Sequence, residues 1–138
     1  MTKAKTTQVL NAIGADDIDS TPPRRLTLSV LIPAYNDLHK LTRCITSLQR
    51  YAVLPDTQYL VSDDCSPNID MTAHVSPRVA DVQRNAENVG FIKNVNIGAK
   101  RATGDILLLC NHDVFAVEKL SQGWDAALLA AFDTPEVG

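Results

Sequence analysis

With 138 residues, 45% of them hydrophobic and 21% charged, the chain has the size and composition of one globular domain, which excludes intrinsic disorder. A formal net charge of −3 at pH 7 gives no basic footprint for nucleic acid. No apolar run approaches the roughly 20 residues that cross a bilayer, and the N-terminus lacks the apolar core of a secretory signal, so the sequence predicts a soluble cytoplasmic protein.

In chain order, residues 1–24 read as a polar N-terminal arm, in which Val9, Leu10 and Ile13 are spaced for one helical turn before Pro22-Pro23. Residues 25–138 carry the domain. Leu28-Ser29-Val30-Leu31-Ile32 is a β-rich run ended by Pro33, and Leu38, Leu41, Ile45 and Leu48 then recur at helical spacing up to about Tyr51. Gln58 to Ser62 forms a second strand, followed by the polar segment Asp63-Asp64-Cys65-Ser66-Pro67-Asn68. A weaker strand is expected from Val79 to Gln83 and a helix from Gly90 to Ala102. The run Asp105-Ile106-Leu107-Leu108-Leu109-Cys110 predicts a strand covered on both faces, ending on Asn111-His112-Asp113. A last helix is expected from Val117 to Phe132. Cys44, Cys65 and Cys110 lack metal-ligand spacing and read as reduced thiols, with Cys110 in the core.

Strands alternating with helices imply a three-layer, mainly parallel α/β sheet with right-handed crossovers. In such a sheet Pro33-Ala34-Tyr35-Asn36, Asp63-Asp64 and Asn111-His112-Asp113 emerge at one rim, beyond the carboxyl ends of the strands, where ligands bind. Asn111 and Asp113 there offer oxygen ligands for a divalent cation that neutralises a nucleotide's phosphates, and they serve equally as turn formers. Tyr35 can lie against a nucleobase, or be an ordinary half-buried aromatic. A carboxylate of the Asp63-Asp64 pair can accept a base N–H, or cap a turn. Gly90 at a helix start brings backbone N–H groups toward a donor, with Lys93 or Asn94 projecting to its phosphates or sugar; helix-start chemistry also accounts for Gly90. Asp105 reads as a turn residue, and His39 and His74 as surface residues.

Four segments in this order, Leu28 to Asn36, Val61 to Ser66, Asn88-Val89-Gly90-Phe91 and Ala102 to Val114, resemble the nucleotide-sugar-binding half of family 2 glycosyltransferases, which have the Rossmann-like GT-A fold. The resemblance runs from about Leu26 to the last residue. It implies inverting transfer of a sugar from a nucleotide-diphosphate donor to an acceptor hydroxyl, assisted by magnesium or manganese. By position, it implies that Pro33, Ala34 and Tyr35 line the base pocket and that Asp64 hydrogen-bonds the base. Asp113 matches the last residue of the family's Asp-x-Asp element and is expected to hold the metal. His112 stands in the middle of that element, near the donor ribose, or faces solvent. Asn111 replaces the first aspartate, contributing a carbonyl oxygen without charge.

An inverting transfer also needs a general base. In the family this carboxylate lies after the Asp-x-Asp strand, and no residue here is nominated for it. The sequence therefore reads as the donor-binding part of a GT-A domain, truncated at the C-terminus, with an unfinished sheet edge. The family setting implies a glycan or lipid-linked acceptor, polysaccharide biosynthesis, and a cytoplasmic place at the inner membrane face. Two alternatives stand beside it: a non-catalytic nucleotide-sugar-binding module, and a receiver-type signalling domain, for which the chain offers no strand-end lysine after Asp113.

Overall fold

The computed structural model describes residues 24–118 and 120–133, so the expected N-terminal arm lies outside the described residues except for Arg24. Four strands, β1 (Leu28–Ala34), β2 (Gln58–Asp63), β3 (Asp81–Arg84) and β4 (Ile106–Leu109), alternate with four helices, α1 (Leu38–Tyr51), α2 (Met71–His74), α3 (Phe91–Ala99) and α4 (Trp124–Phe132). The strands form one parallel sheet in the order β3-β2-β1-β4.

All of β1 is buried, and its side-chain alternation sorts the two covering layers. Leu28, Val30, Ile32 and Ala34 face Leu41, Cys44, Ile45 and Leu48, the apolar stripe of α1, and Leu129 of α4 joins the same cluster. Each fully buried leucine or isoleucine here contributes about 2 kcal/mol. Leu31 points to the opposite face, where Gly98 lets α3 approach the sheet closely. Asp37 starts α1 by accepting the Lys40 N–H at 2.9 Å.

Pro33 does not end β1, which runs one residue further to Ala34. The reason is directional. Leu31 accepts the Cys110 N–H, so residues 29, 31 and 33 turn their backbone groups toward β4. β4 pairs with β1 only as far as Leu31, so the N–H that Pro33 lacks has no strand to meet.

Several expected boundaries move. The third strand begins at Asp81 rather than Val79, because the Val79 and Ala80 N–H groups are spent on a turn closed by the Ser76 carbonyl. The helix expected from Gly90 to Ala102 spans Phe91–Ala99. The last helix begins at Trp124 rather than Val117: Gly123 is left-handed at φ 70°, and Val117 and Leu120 are 56% and 89% exposed, so no packing draws that segment into a helix. The short α2, capped by Asp70, has too few residues to show a period and was not expected.

The largest correction concerns β4. Among the described residues it is an edge strand, and Leu107 and Leu109 are 42% and 45% exposed. Ile106 and Leu108 pack on the main core, whereas α3 covers β1 and β2 on the other face and leaves β4 bare.

Candidate functional site

The chain runs outward from β1 through β2 to β3, then returns to place β4 on the other side of β1. Such a reversal leaves a crevice beyond the carboxyl ends of the two strands that part. A cleft of about 440 Å³ opens there. Every candidate from the sequence except Lys93 lines it: Pro33, Ala34 and Tyr35 at the end of β1, Asp64 after β2, Gly90 and Asn94 at the start of α3, and Asn111, His112 and Asp113 after β4. Asn88 and Phe91 complete the lining. Lys93 is exposed outside the lining, because α3 seats Asn94 and Gly98 against the sheet and turns Lys93 to solvent.

The two adjacent aspartates have separate partners. Asp63 is fully buried; it accepts the Ser66 N–H and O–H through Oδ1 and a 2.8 Å ion pair from Arg84 through Oδ2. Arg84 also donates to the carbonyls of Ser66 and Ile69, so this group ties the loop after β2 to β3. Ser66 Oγ accepts the N–H of Asn36, which is left-handed at φ 63°, and so holds the loop that presents Tyr35. Tyr35 itself is 44% exposed at the cleft.

Asp64 faces the other way. Its Oδ1 accepts the Val89 N–H at 2.8 Å and Asn85 Nδ2 at 3.1 Å, and its Oδ2 accepts the Gly90 N–H at 2.9 Å. Gly90 adopts φ 82°, which a side chain would strain, and so directs its N–H at the carboxylate where α3 begins. Asn94 is 2% exposed and its amide is committed inward: Nδ2 donates to the Ser62 carbonyl, and Oδ1 accepts Ser62 Oγ and Asn85 Nδ2. It forms part of the cleft floor, held against β2 by these bonds, whereas the expectation had it projecting to the donor.

After β4, the Asn111 carbonyl accepts the Val114 N–H and lies 3.6 Å from the thiols of both Cys44 and Cys110. The α1 cysteine thus anchors the loop carrying Asn111, His112 and Asp113. A hydrogen bond with Cys110, reinforced by burial, pushes the Cys44 thiol up, as suits a packing residue. Bonding to the Lys40 N–H, then to its side chain, holds Asp37 below the usual carboxylate range, and the charge of Lys40 adds to this. No hydrogen bond or ion pair from the described residues occupies the exposed Asp113 carboxylate.

Among the described residues no three His, Cys, Asp or Glu side chains gather into a self-sufficient metal site. Asp113 and Asn111 instead offer one free carboxylate and one amide oxygen at the cleft. That set fits a hard divalent ion completing its shell with phosphate oxygens and water.

Residues 29–136 match the glycosyl transferase family 2 domain. The chain belongs to that family. It is 25% identical over 107 residues to the uncharacterized glycosyltransferase YwdF of Bacillus subtilis, an alignment covering 74% of this chain and 40% of that protein. S. aureus TarS 1-349 in complex with UDP superposes with a TM-score of 0.60 at 27% identity, covering 75% of this chain and 31% of TarS. The mannosyltransferase PcManGT of Pyrobaculum calidifontis, in complex with GDP-Man and Mn2+, superposes with a TM-score of 0.65 at 19% identity, covering 86% and 36%. These family 2 and GT-A likenesses agree with the three-layer parallel architecture expected from the sequence, and they displace the receiver-type alternative. The chain spans 40% of YwdF and about a third of the length of the two solved structures. No helix among the described residues is long and apolar enough to cross a membrane.

The sequence names Asn88 and Phe91 only within the segment Asn88-Val89-Gly90-Phe91, without a place in the site, and gives no signal for Asn85. Asn85 backs Asp64 from 21 residues away, a spacing that no motif announces.

Proposed function

We propose that this chain captures the nucleotide-diphosphate sugar, with its divalent metal, for an inverting glycosyltransferase. The observation that carries this reading is the meeting of Tyr35, Asp64 and Asn111-His112-Asp113 around one cleft at the sheet reversal. In it Tyr35 stacks on the base above Pro33 and Ala34, Asp64 accepts a base N–H, and His112 lies beside the ribose. Backbone N–H groups after Gly90 face the donor. Asp113 and the Asn111 amide oxygen hold magnesium or manganese, which when bound neutralises charge on the two phosphates. Support comes from TarS structures containing UDP and UDP-GlcNAc and from the GDP-Man and Mn2+ complex of PcManGT.

The acceptor in this reading is a glycan or lipid-linked glycan met at the cytoplasmic membrane face during polysaccharide synthesis. Donor capture is the activity proposed for these 138 residues.

Titration of the purified chain with UDP, GDP and dTDP, with and without Mn2+, tests the reading. At least one nucleotide is expected to bind more tightly with Mn2+, and Asp113→Ala to weaken that binding about tenfold or more while leaving metal-free binding unchanged. Absence of binding by all three would sink the donor reading. Equal binding by Asp113→Ala would remove the metal from Asp113.

A further inference from the structure

We propose that Asn85 is a positioning residue for base selection, acting through Asp64; this rests on the donor-site reading above. Asn85 is 8% exposed, and its single Nδ2 group divides its two hydrogens between Asp64 Oδ1 and Asn94 Oδ1, at 3.1 and 2.9 Å. Asn94 is in turn locked to the β2 backbone through the Ser62 carbonyl at 2.8 Å. The carboxylate is thereby joined to both β2 and α3 by one polar chain whose links are all buried.

The acceptor count gives this chain a chemical consequence. A carboxylate oxygen takes about two hydrogen bonds. Oδ1 is filled by Asn85 and Val89, whereas Oδ2 holds only the Gly90 N–H. One acceptor direction is left on a residue that lines the cleft. With three N–H groups already donating to it, the carboxylate meets its surroundings as an acceptor. It therefore suits a base presenting a ring N–H, as uracil, thymine and guanine do, and disfavours cytosine and adenine, whose corresponding ring nitrogen is an acceptor. Removing Asn85 frees a second acceptor direction on Oδ1 and releases the carboxylate from Asn94. The single direction that distinguishes one base edge from another is then lost.

The experiment pairs a ligand change with a protein change. Binding of UDP and of 3-methyluridine diphosphate, which lacks the ring N–H, is measured with Mn2+ on the wild-type chain, Asn85→Ala and the milder Asn85→Ser. GDP and 1-methylguanosine diphosphate replace them if the chain prefers guanine. Methylation is expected to cost the wild type about tenfold or more, as leaving a buried acceptor without its partner does. In both variants the penalty is expected to fall to about threefold or less, with affinity for inorganic diphosphate and Mn2+ unchanged; a purely structural asparagine would not alter that ratio. A penalty that persists in either folded variant overturns the role of Asn85 alone. A wild type indifferent to methylation overturns the reading of the base by Asp64. A wild type that binds no nucleotide overturns the donor site itself.

Discussion

At the residue scale, Asp63 and Asp64 look interchangeable in sequence, and their different tasks follow from strand alternation. Consecutive side chains at the end of β2 leave on opposite faces, so one meets Arg84 and the other meets the start of α3. The doublet was legible as a polar strand end. Which carboxylate reaches the cleft was not, because the partners that decide it lie 21 to 26 residues away. Tyr59 presents a different case. Its hydroxyl is buried without a hydrogen-bond partner among the described residues, and burial, with the charge of Asp125 adding to it, pushes its pKa from 10.0 up to about 12. The folded state thus favours the neutral phenol. Its stabilising effect is complete below pH 10 and is lost as the pH rises from 10 through 12. Tyr59→Phe is expected to leave the urea midpoint at pH 7 unchanged or raised, and to flatten the loss of stability between pH 10 and 12. A drop of about 1 kcal/mol or more at pH 7 would mean that the hydroxyl is bonded after all.

At the element scale, the sequence announced the strands and helices that have long periodic patterns and misplaced those whose limits depend on backbone hydrogen bonds. α1 was legible from Leu41, Ile45 and Leu48, all buried on one stripe. The start of α4 was not, since it is decided by the conformation of Gly123 and by the lack of packing against Val117 and Leu120. Among the helices, α3 carries the most consequence for the cleft, because its first turn supplies Gly90 and Phe91 to the lining. Its distance from the sheet is set by Gly98, where a Cβ would fall 2.5 Å from Leu31 Cδ1 and 3.0 Å from Ser62 Cβ. Leu31 and Ser62 are fully buried in central strands, where a shift disturbs close packing. Gly98→Ala gains about 1 kcal/mol in helix propensity, but overpacking costs about 1–3 kcal/mol, so the clash prevails. The variant is expected to melt at a lower temperature and, by lifting α3, to bind nucleotide more weakly. Unaltered melting and affinity would show that α3 has slack at this contact.

At the scale of the whole molecule, the described residues finish the sheet on one face of β4 and leave the other bare. The run Ile106-Leu107-Leu108-Leu109 was legible as apolar throughout, as befits a parallel sheet covered on both sides, but sequence alone says nothing of which residues the described helices reach. They reach Ile106 and Leu108 and leave Leu107 and Leu109 about half exposed beside an open strand edge. An apolar strip next to unpaired backbone N–H and C=O groups invites association. The purified chain is therefore expected to self-associate as its concentration rises, in sedimentation or light scattering. The alternation along β4 supplies its own control. Leu107→Lys with Leu109→Lys should reduce association while moving the melting temperature by only a few degrees. Ile106→Lys with Leu108→Lys forces two charges toward the core; each costs several kcal/mol, with about 4–8 °C of melting temperature lost per kcal/mol in a domain of about 100 residues. Opposite outcomes from alternate residues of one four-residue strand would establish that its two faces differ as described. Equal destabilisation by both pairs would mean that Leu107 and Leu109 are covered in solution.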